Sequence, residues 1–215
     1  MADGDRAAIV QAVLSVPAIC NLQSAIRPMS DTAIIGALAA LHRGLVIGLP
    51  TDTVYGIGVD PMNEQALRRL FAVKGRPDDK PIPILAASLA DARGFGMIDA
   101  GVGRYWPGPL TVVVRRMPAV PAWIGDPHAG TVAIRVPDHP LALDMLGRFG
   151  PLAVTSANRS GEEPAADDAA ARAALGAGVA VYLPGGGGGG AASTVVDLTG
   201  RTPLVLRPGP VAWEP

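Results

Sequence analysis

The stretch KGRPDDK, residues 74–80, holds both lysines of this chain, Lys74 and Lys80, on either side of Arg76; every other basic residue among the 18 is arginine. A lysine ammonium is a compact charge with three donors on a flexible stem, able to follow a phosphate oxygen as a point charge. This points to an anion site, with a polyphosphate as its natural occupant. A solvated basic loop is the competing reading, because charged runs are usually that. Two further segments crowd small polar groups directly after apolar runs: PTDTVYG (50–56) and TSANRSG (155–161). Ligands of α/β proteins gather beyond the carboxyl ends of strands, although Thr-Asp-Thr also makes an ordinary turn. Ser156 and Asn158 alternate onto one side, which suits a sugar, a phosphate or an amide. Arg135 sits among Val132, Ile134 and Val136. A guanidinium in such surroundings calls for a carboxylate, supplied either by the protein or by a substrate. Arg207, in LVLRPG, poses the same question.

Other chemistries find little support. His42, His128 and His139 are dispersed, none in a metal-ligand spacing, and His139 in its DHP turn reads as structural or surface. There is no G-x-S-x-G elbow. No glycine fingerprint follows a strand and opens a helix with an acid downstream. The run GGGGGG (185–190) has no following lysine, so it is no P-loop and reads as a flexible loop or lid. Cys20 stands alone, which excludes an intramolecular disulfide and a cysteine-built zinc site.

The elements that must position these residues follow from pattern. A chain of 215 residues, 49% hydrophobic but only 4% aromatic, builds its core from Val, Leu, Ile and Ala. A formal net charge of -1 argues against a general electrostatic nucleic-acid binder. Neither a signal peptide nor an 18-residue apolar span is visible, so a cytoplasmic protein with no membrane association is expected. Residues 1–30 read as an extension, helical over Arg6–Leu14, and 31–215 as one domain. A helix begins with Asp31 or Thr32 as cap and ends at Gly44, and Asn63 caps a second helix that ends beside Lys74. Lys74 is therefore expected at a surface turn, where its replacement spares the fold. Strands are expected at 45–50, 81–87, 109–116, 130–137, 151–156, 179–184, 193–198 and 203–207, with helices at 88–96, 99–105, 138–149 and 165–175. Several strands follow one another directly, which predicts an α/β fold with a twisted, open, mixed sheet and flanking helices.

Taken together, PTDTVYGIG, KGRPDDKP, WPGPLTVVV, AIRVPDHP, TSANRSG, STVVDL and LRPG resemble, in order and approximate spacing, the YrdC-type threonylcarbamoyl-AMP synthases, over about residues 32–210. The resemblance implies a YrdC-like sheet around a deep basic cavity. It implies condensation of L-threonine, bicarbonate or CO2, and ATP into threonylcarbamoyl-AMP and pyrophosphate, with Mg2+ accompanying ATP. The product serves threonylcarbamoyladenosine formation in tRNA, so a downstream tRNA threonylcarbamoyl transferase complex is an implied partner. By the same resemblance Lys74, Arg76, Ser156 and Asn158 are catalytic. Those four bind ATP with Lys80, Thr131 and Arg207, while Thr53, Arg135, Thr155 and Ser193 hold threonine. The protein side chains supply no metal site. The alternatives are a nucleotide- or RNA-binding module without turnover, including weak RNA binding, and a carbamoyl-handling paralogue with another substrate.

Overall fold

Period-two alternation sorts the short apolar runs onto the two faces of one sheet. The computed structural model describes residues 23–75 and 81–214; the helix expected over Arg6–Leu14, and residues Arg76 and Lys80, lie outside them. The strands are β1 (Ile47–Leu49), β2 (Gly56–Val59), β3 (Ile84–Leu85), β4 (Leu110–Arg115), β5 (Thr131–Arg135), β6 (Leu152–Ser156), β7 (Val181–Tyr182), β8 (Thr194–Asp197) and β9 (Leu204–Arg207). They join in the order β7-β1-β2-β6-β3-β5-β4-β8-β9. The pairs β1–β7, β3–β5 and β4–β8 are parallel and the rest antiparallel, giving the mixed open sheet that consecutive strands imply.

Helices cover both faces. On one, α1 (Gln23–His42) and α4 (Pro140–Phe149) bury Ile34, Leu41, Met145 and Leu146 against Ile47, Leu49, Leu152 and Val154. On the other, α2 (Glu64–Lys74), α3 (Leu89–Arg93) and α5 (Asp168–Leu175) pack Leu70, Ala92 and Leu175 with Ile57, Ile84, Val112 and Ile134. Each such aliphatic side chain, fully buried, contributes about 1.5–3 kcal/mol, so packing holds these short helices in place. The α1–α4 cluster includes no residue of β4, β5, β8 or β9. The registers Leu85↔Arg135, Thr111↔Val195 and Val195↔Arg207 continue the same face across those strands. That half of the face forms the site described below. Among the described residues, no helix is long and apolar enough to cross a membrane.

Three elements differ from expectation. Helix α1 begins at Gln23 rather than at an Asp31 or Thr32 cap. The strand expected over 81–87 reduces to Ile84–Leu85, since Pro81 and Pro83 cannot donate to a ladder. Strand β2 was not legible because Gly56 and Gly58 are poor strand formers. Both are glycine because a Cβ at either would stand 2.9 Å from a Val154 methyl.

Candidate active site

The PTDT segment is a Ser/Thr turn. Thr51 Oγ1 donates to Val54 O at 2.7 Å and accepts from Thr53 N at 3.2 Å. Thr53 Oγ1 in turn accepts from Arg135 Nη1 at 2.8 Å. Arg135 Nε donates to Gly108 O at 3.0 Å, and Nη2 is ion-paired with Asp52 Oδ1. In this structure a protein carboxylate, Asp52, is the partner that the buried Arg135 calls for, and it engages through one oxygen only. Three of the five guanidinium N–H groups are engaged, which leaves two for a second carboxylate. Burial pulls the Arg135 pKa below its ordinary value, and the charge of Asp52 opposes that shift.

Lys74 departs from its expected place at a surface turn: it is only 3% exposed. Its Nζ donates to Ser156 O at 2.8 Å and Asn158 Oδ1 at 2.9 Å, with Ser156 Oγ 3.4 Å away. The cause is long-range. Gly56↔Ser156 pairing fixes the end of β6, and the following turn folds back so that Ser160 N donates to Lys74 O at 2.9 Å. Gly75, at φ 59, turns the chain away from the helix end. Asn158 does more than face a ligand. Its Nδ2 donates to Arg159 O at 2.9 Å and Glu162 O at 2.6 Å, which ties down the turn that encloses the lysine.

A third cluster surrounds Ser193. Its Oγ lies 2.8 Å from Thr111 Oγ1, and its carbonyl accepts from Arg207 Nε at 3.0 Å and Nη2 at 2.9 Å. Burial lowers the Arg207 pKa as well.

Six of the expected site residues, Thr53, Arg135, Thr155, Ser156, Ser193 and Arg207, line one cavity of about 420 Å³. Two arginines and no carboxylate are among its described lining residues, so it is built for anions. Leu85 and Val195 give it apolar walls. Lys74 and Asn158 are not among its lining residues; Lys74 Nζ adjoins it through Ser156, which is one. Thr131 opens β5 on the face of Ala133 and Arg135 and does not line the cavity. Among the described residues no group of three His, Cys, Asp or Glu side chains is placed to hold a metal.

The glycine run is a strap across this turn. Gly187 N donates to Ala166 O at 2.7 Å, Gly188 N to Thr51 O at 2.9 Å and Gly190 N to Thr53 O at 3.0 Å. A Cβ at Gly188 would meet the Asp52 backbone at 2.9 Å, and one at Gly187 the Val54 backbone at 2.7 Å. Close approach, which sequence reading interpreted as flexibility, therefore explains these two glycines. The variant Gly188→Ala should lift the strap from the turn, cost about 1–3 kcal/mol of stability and raise the KM of the anionic substrate that the cavity takes. Gly189→Ala, with open space around its Cβ, should do neither. Thermal melts and steady-state kinetics of the pair check this.

A mixed α/β sheet whose uncovered half-face forms a basic pocket defines a domain built to bind small anionic molecules. A family model described as telomere recombination (Sua5/YciO/YrdC) matches residues 39–209, and the chain belongs to that family. A Mycobacterium tuberculosis protein is 45% identical over 187 residues, covering 84% of this chain and 86% of its own. A Bacillus subtilis protein named threonylcarbamoyl-AMP synthase is 35% identical over 192 residues, covering 86% of this chain and 56% of its own. The crystal structure of Pyrococcus abyssi Sua5 complexed with L-threonine superposes with a TM-score of 0.76 at 34% identity, over 84% of this chain and 54% of that one. This chain thus spans about half the length of the latter two.

Proposed function

We propose that this chain is an L-threonylcarbamoyladenylate synthase, a nucleotidyltransferase that condenses L-threonine, bicarbonate or CO2, and ATP into threonylcarbamoyl-AMP and pyrophosphate. The observation that carries the reading is the single cavity bounded by Thr53 and Arg135 and also by Ser156 and Arg207. The two remaining N–H groups of Arg135 take the threonine carboxylate, with Thr53, Thr155 and Ser193 around the rest of the amino acid. Held there, the amine adds to CO2, loses a proton to solvent and becomes a carbamate. One carbamate oxygen then attacks the α-phosphorus of ATP, forming the P–O bond as the bond to pyrophosphate breaks. Proximity and fixed positive charge are what this reaction needs most. Lys74, held by Ser156 and Asn158, stabilises the charge that accumulates on the phosphates, with Arg207, and Arg76 and Lys80 of the same sequence stretch, as further nucleotide contacts. With no carboxylate among the described lining residues, Mg2+ enters as the counter-ion of ATP, held by its phosphates. The product passes to a tRNA-modifying transferase in the cytoplasm.

Incubation with 13C-bicarbonate, ATP, Mg2+ and L-threonine tests the reading. Mass spectrometry should find one 13C per molecule in a threonylcarbamoyl-AMP product. Pyrophosphate without labelled adduct would reject it.

A further inference from the structure

Two hydroxyls of the cavity wall are bonded to each other and have more protons to give than they spend. Thr111 Oγ1 and Ser193 Oγ lie 2.8 Å apart; both residues are buried and both line the cavity. Arg207 Nη2 donates to Ser193 Oγ at 3.2 Å. Each hydroxyl owns one proton, so a pair joined by one hydrogen bond keeps one donor in hand. Among the described residues neither hydroxyl makes a further hydrogen bond. A hydroxyl that accepts from a guanidinium is polarised into a better donor. The chain therefore runs from Arg207 through Ser193 to Thr111, and the Thr111 proton is the one left unspent. Strand formation has no use for that proton, since Val113, two residues on and on the same face, is aliphatic.

The position of Thr111 defines what the proton meets. The register Val112↔Ile134, carried on by one residue, sets Thr111 beside Arg135. Thr111↔Val195 and Val195↔Arg207 lead on to the second arginine. At about 4.8 Å per strand, the backbones of Arg135 and Arg207 stand about 14 Å apart along this row, with Thr111 next to Arg135. Leu85 and Val195, in the same row, are apolar, and such walls strengthen a hydrogen bond to a charged oxygen. An amino acid anchored on Arg135 and a nucleotide at Arg207 leave one group for the space between them, the carbamoyl group that joins the two.

We propose that Thr111 is a further substrate-contacting residue of this reaction: its hydroxyl donates to the carbamate oxygen that does not attack ATP. The inference rests on the proposed function. As the amine nitrogen bonds to the carbon of CO2, a C–O π pair moves onto oxygen and the nitrogen loses its proton to solvent. The carbamate then carries its negative charge on two oxygens. One attacks the α-phosphorus; the other accepts from Thr111 and keeps that bond as the carbonyl oxygen of the product. The charge on this oxygen is greatest before the attack, so the contact favours the carbamate itself and is felt as affinity for bicarbonate. Ser193 Oγ retains one lone pair, with which it still accepts from the amino acid.

Steady-state kinetics of the full chain test this, with bicarbonate, ATP and L-threonine varied in turn while the other two are saturating. Thr111→Val keeps the shape of the side chain without its hydroxyl. It should raise the KM for bicarbonate about tenfold or more and leave the KM for ATP within about twofold. Thr111→Ser restores the hydroxyl and should bring the bicarbonate KM back to within about threefold of the wild type. An equal rise in all three KM values, the mark of a merely structural role, overturns the contact. A rise confined to L-threonine overturns it as well and gives the proton to the amino-acid side chain. If Thr111→Val does not fold, Thr111→Cys, whose S–H is a weak donor, carries the same readout. A wild type that forms no 13C-labelled adduct overturns the proposed function and this contact with it. Labelled adduct from the wild type, with an unmoved bicarbonate KM in Thr111→Val, overturns the contact alone.

Discussion

Replacing Lys74 with alanine is expected to reduce pyrophosphate release about 10²–10³-fold, the scale of losing one fixed electrostatic contact to developing charge. It is also expected to destabilise the fold by about 1–3 kcal/mol. The second effect follows from burial. The ammonium satisfies Ser156 O and Asn158 Oδ1 from a side chain only 3% exposed, and its removal strands both acceptors away from water. The two effects separate by substitution. Lys74→Arg keeps the charge but not the compact three-donor geometry, so it should recover stability better than turnover. A Lys74→Ala protein with wild-type turnover would show that the lysine is a structural clasp and nothing more.

Replacing Arg135 is expected to be at least as severe. Arg135→Ala leaves the Asp52 carboxylate, only 13% exposed, without its counter-charge, and breaking a pair this buried costs about 3–5 kcal/mol. Much of that penalty belongs to the abandoned carboxylate rather than to the lost contact. The double variant Arg135→Met with Asp52→Asn should therefore be more stable than Arg135→Ala in denaturant titration, while threonine-dependent turnover is lost in both. If the double variant is the less stable of the two, the ion pair does not account for the loss.

Local pattern revealed what local pattern determines. The apolar neighbours of Arg135 implied its burial, Asn63 did cap α2, and consecutive short strands implied a mixed sheet. What the sequence hid were consequences of chain segments meeting at long range. Lys74 ends a helix, where the dipole alone accounts for a cation, and only the return of β6 and its turn encloses it. Asp52 looked like a turn residue because it is one; its second role depends on β5 arriving opposite. His139 sits in a DHP turn, and nothing nearby in sequence marks that its Nδ1 is buried. The glycine run carries the signature of flexibility, yet at Gly187 and Gly188 the absence of a side chain lets one backbone lie directly on another. Thr131 shows the converse: alternation puts it on the correct face, and the cavity does not extend along β5 to reach it.

The central claim is that one cavity couples an amino acid to the α-phosphate of ATP. ATP-dependent pyrophosphate release, with bicarbonate and Mg2+ present, tests it most directly when L-threonine, L-serine and no amino acid are compared. Release should depend on an amino acid, because Arg135 must hold its carboxylate before any carbamate forms, and should be about tenfold or more weaker with L-serine, which lacks the methyl group that apolar walls such as Leu85 and Val195 favour. Release at the same rate without amino acid would contradict it and point to another carbamoyl acceptor. ATP binding with no release under any condition would contradict it equally, leaving a nucleotide-binding module.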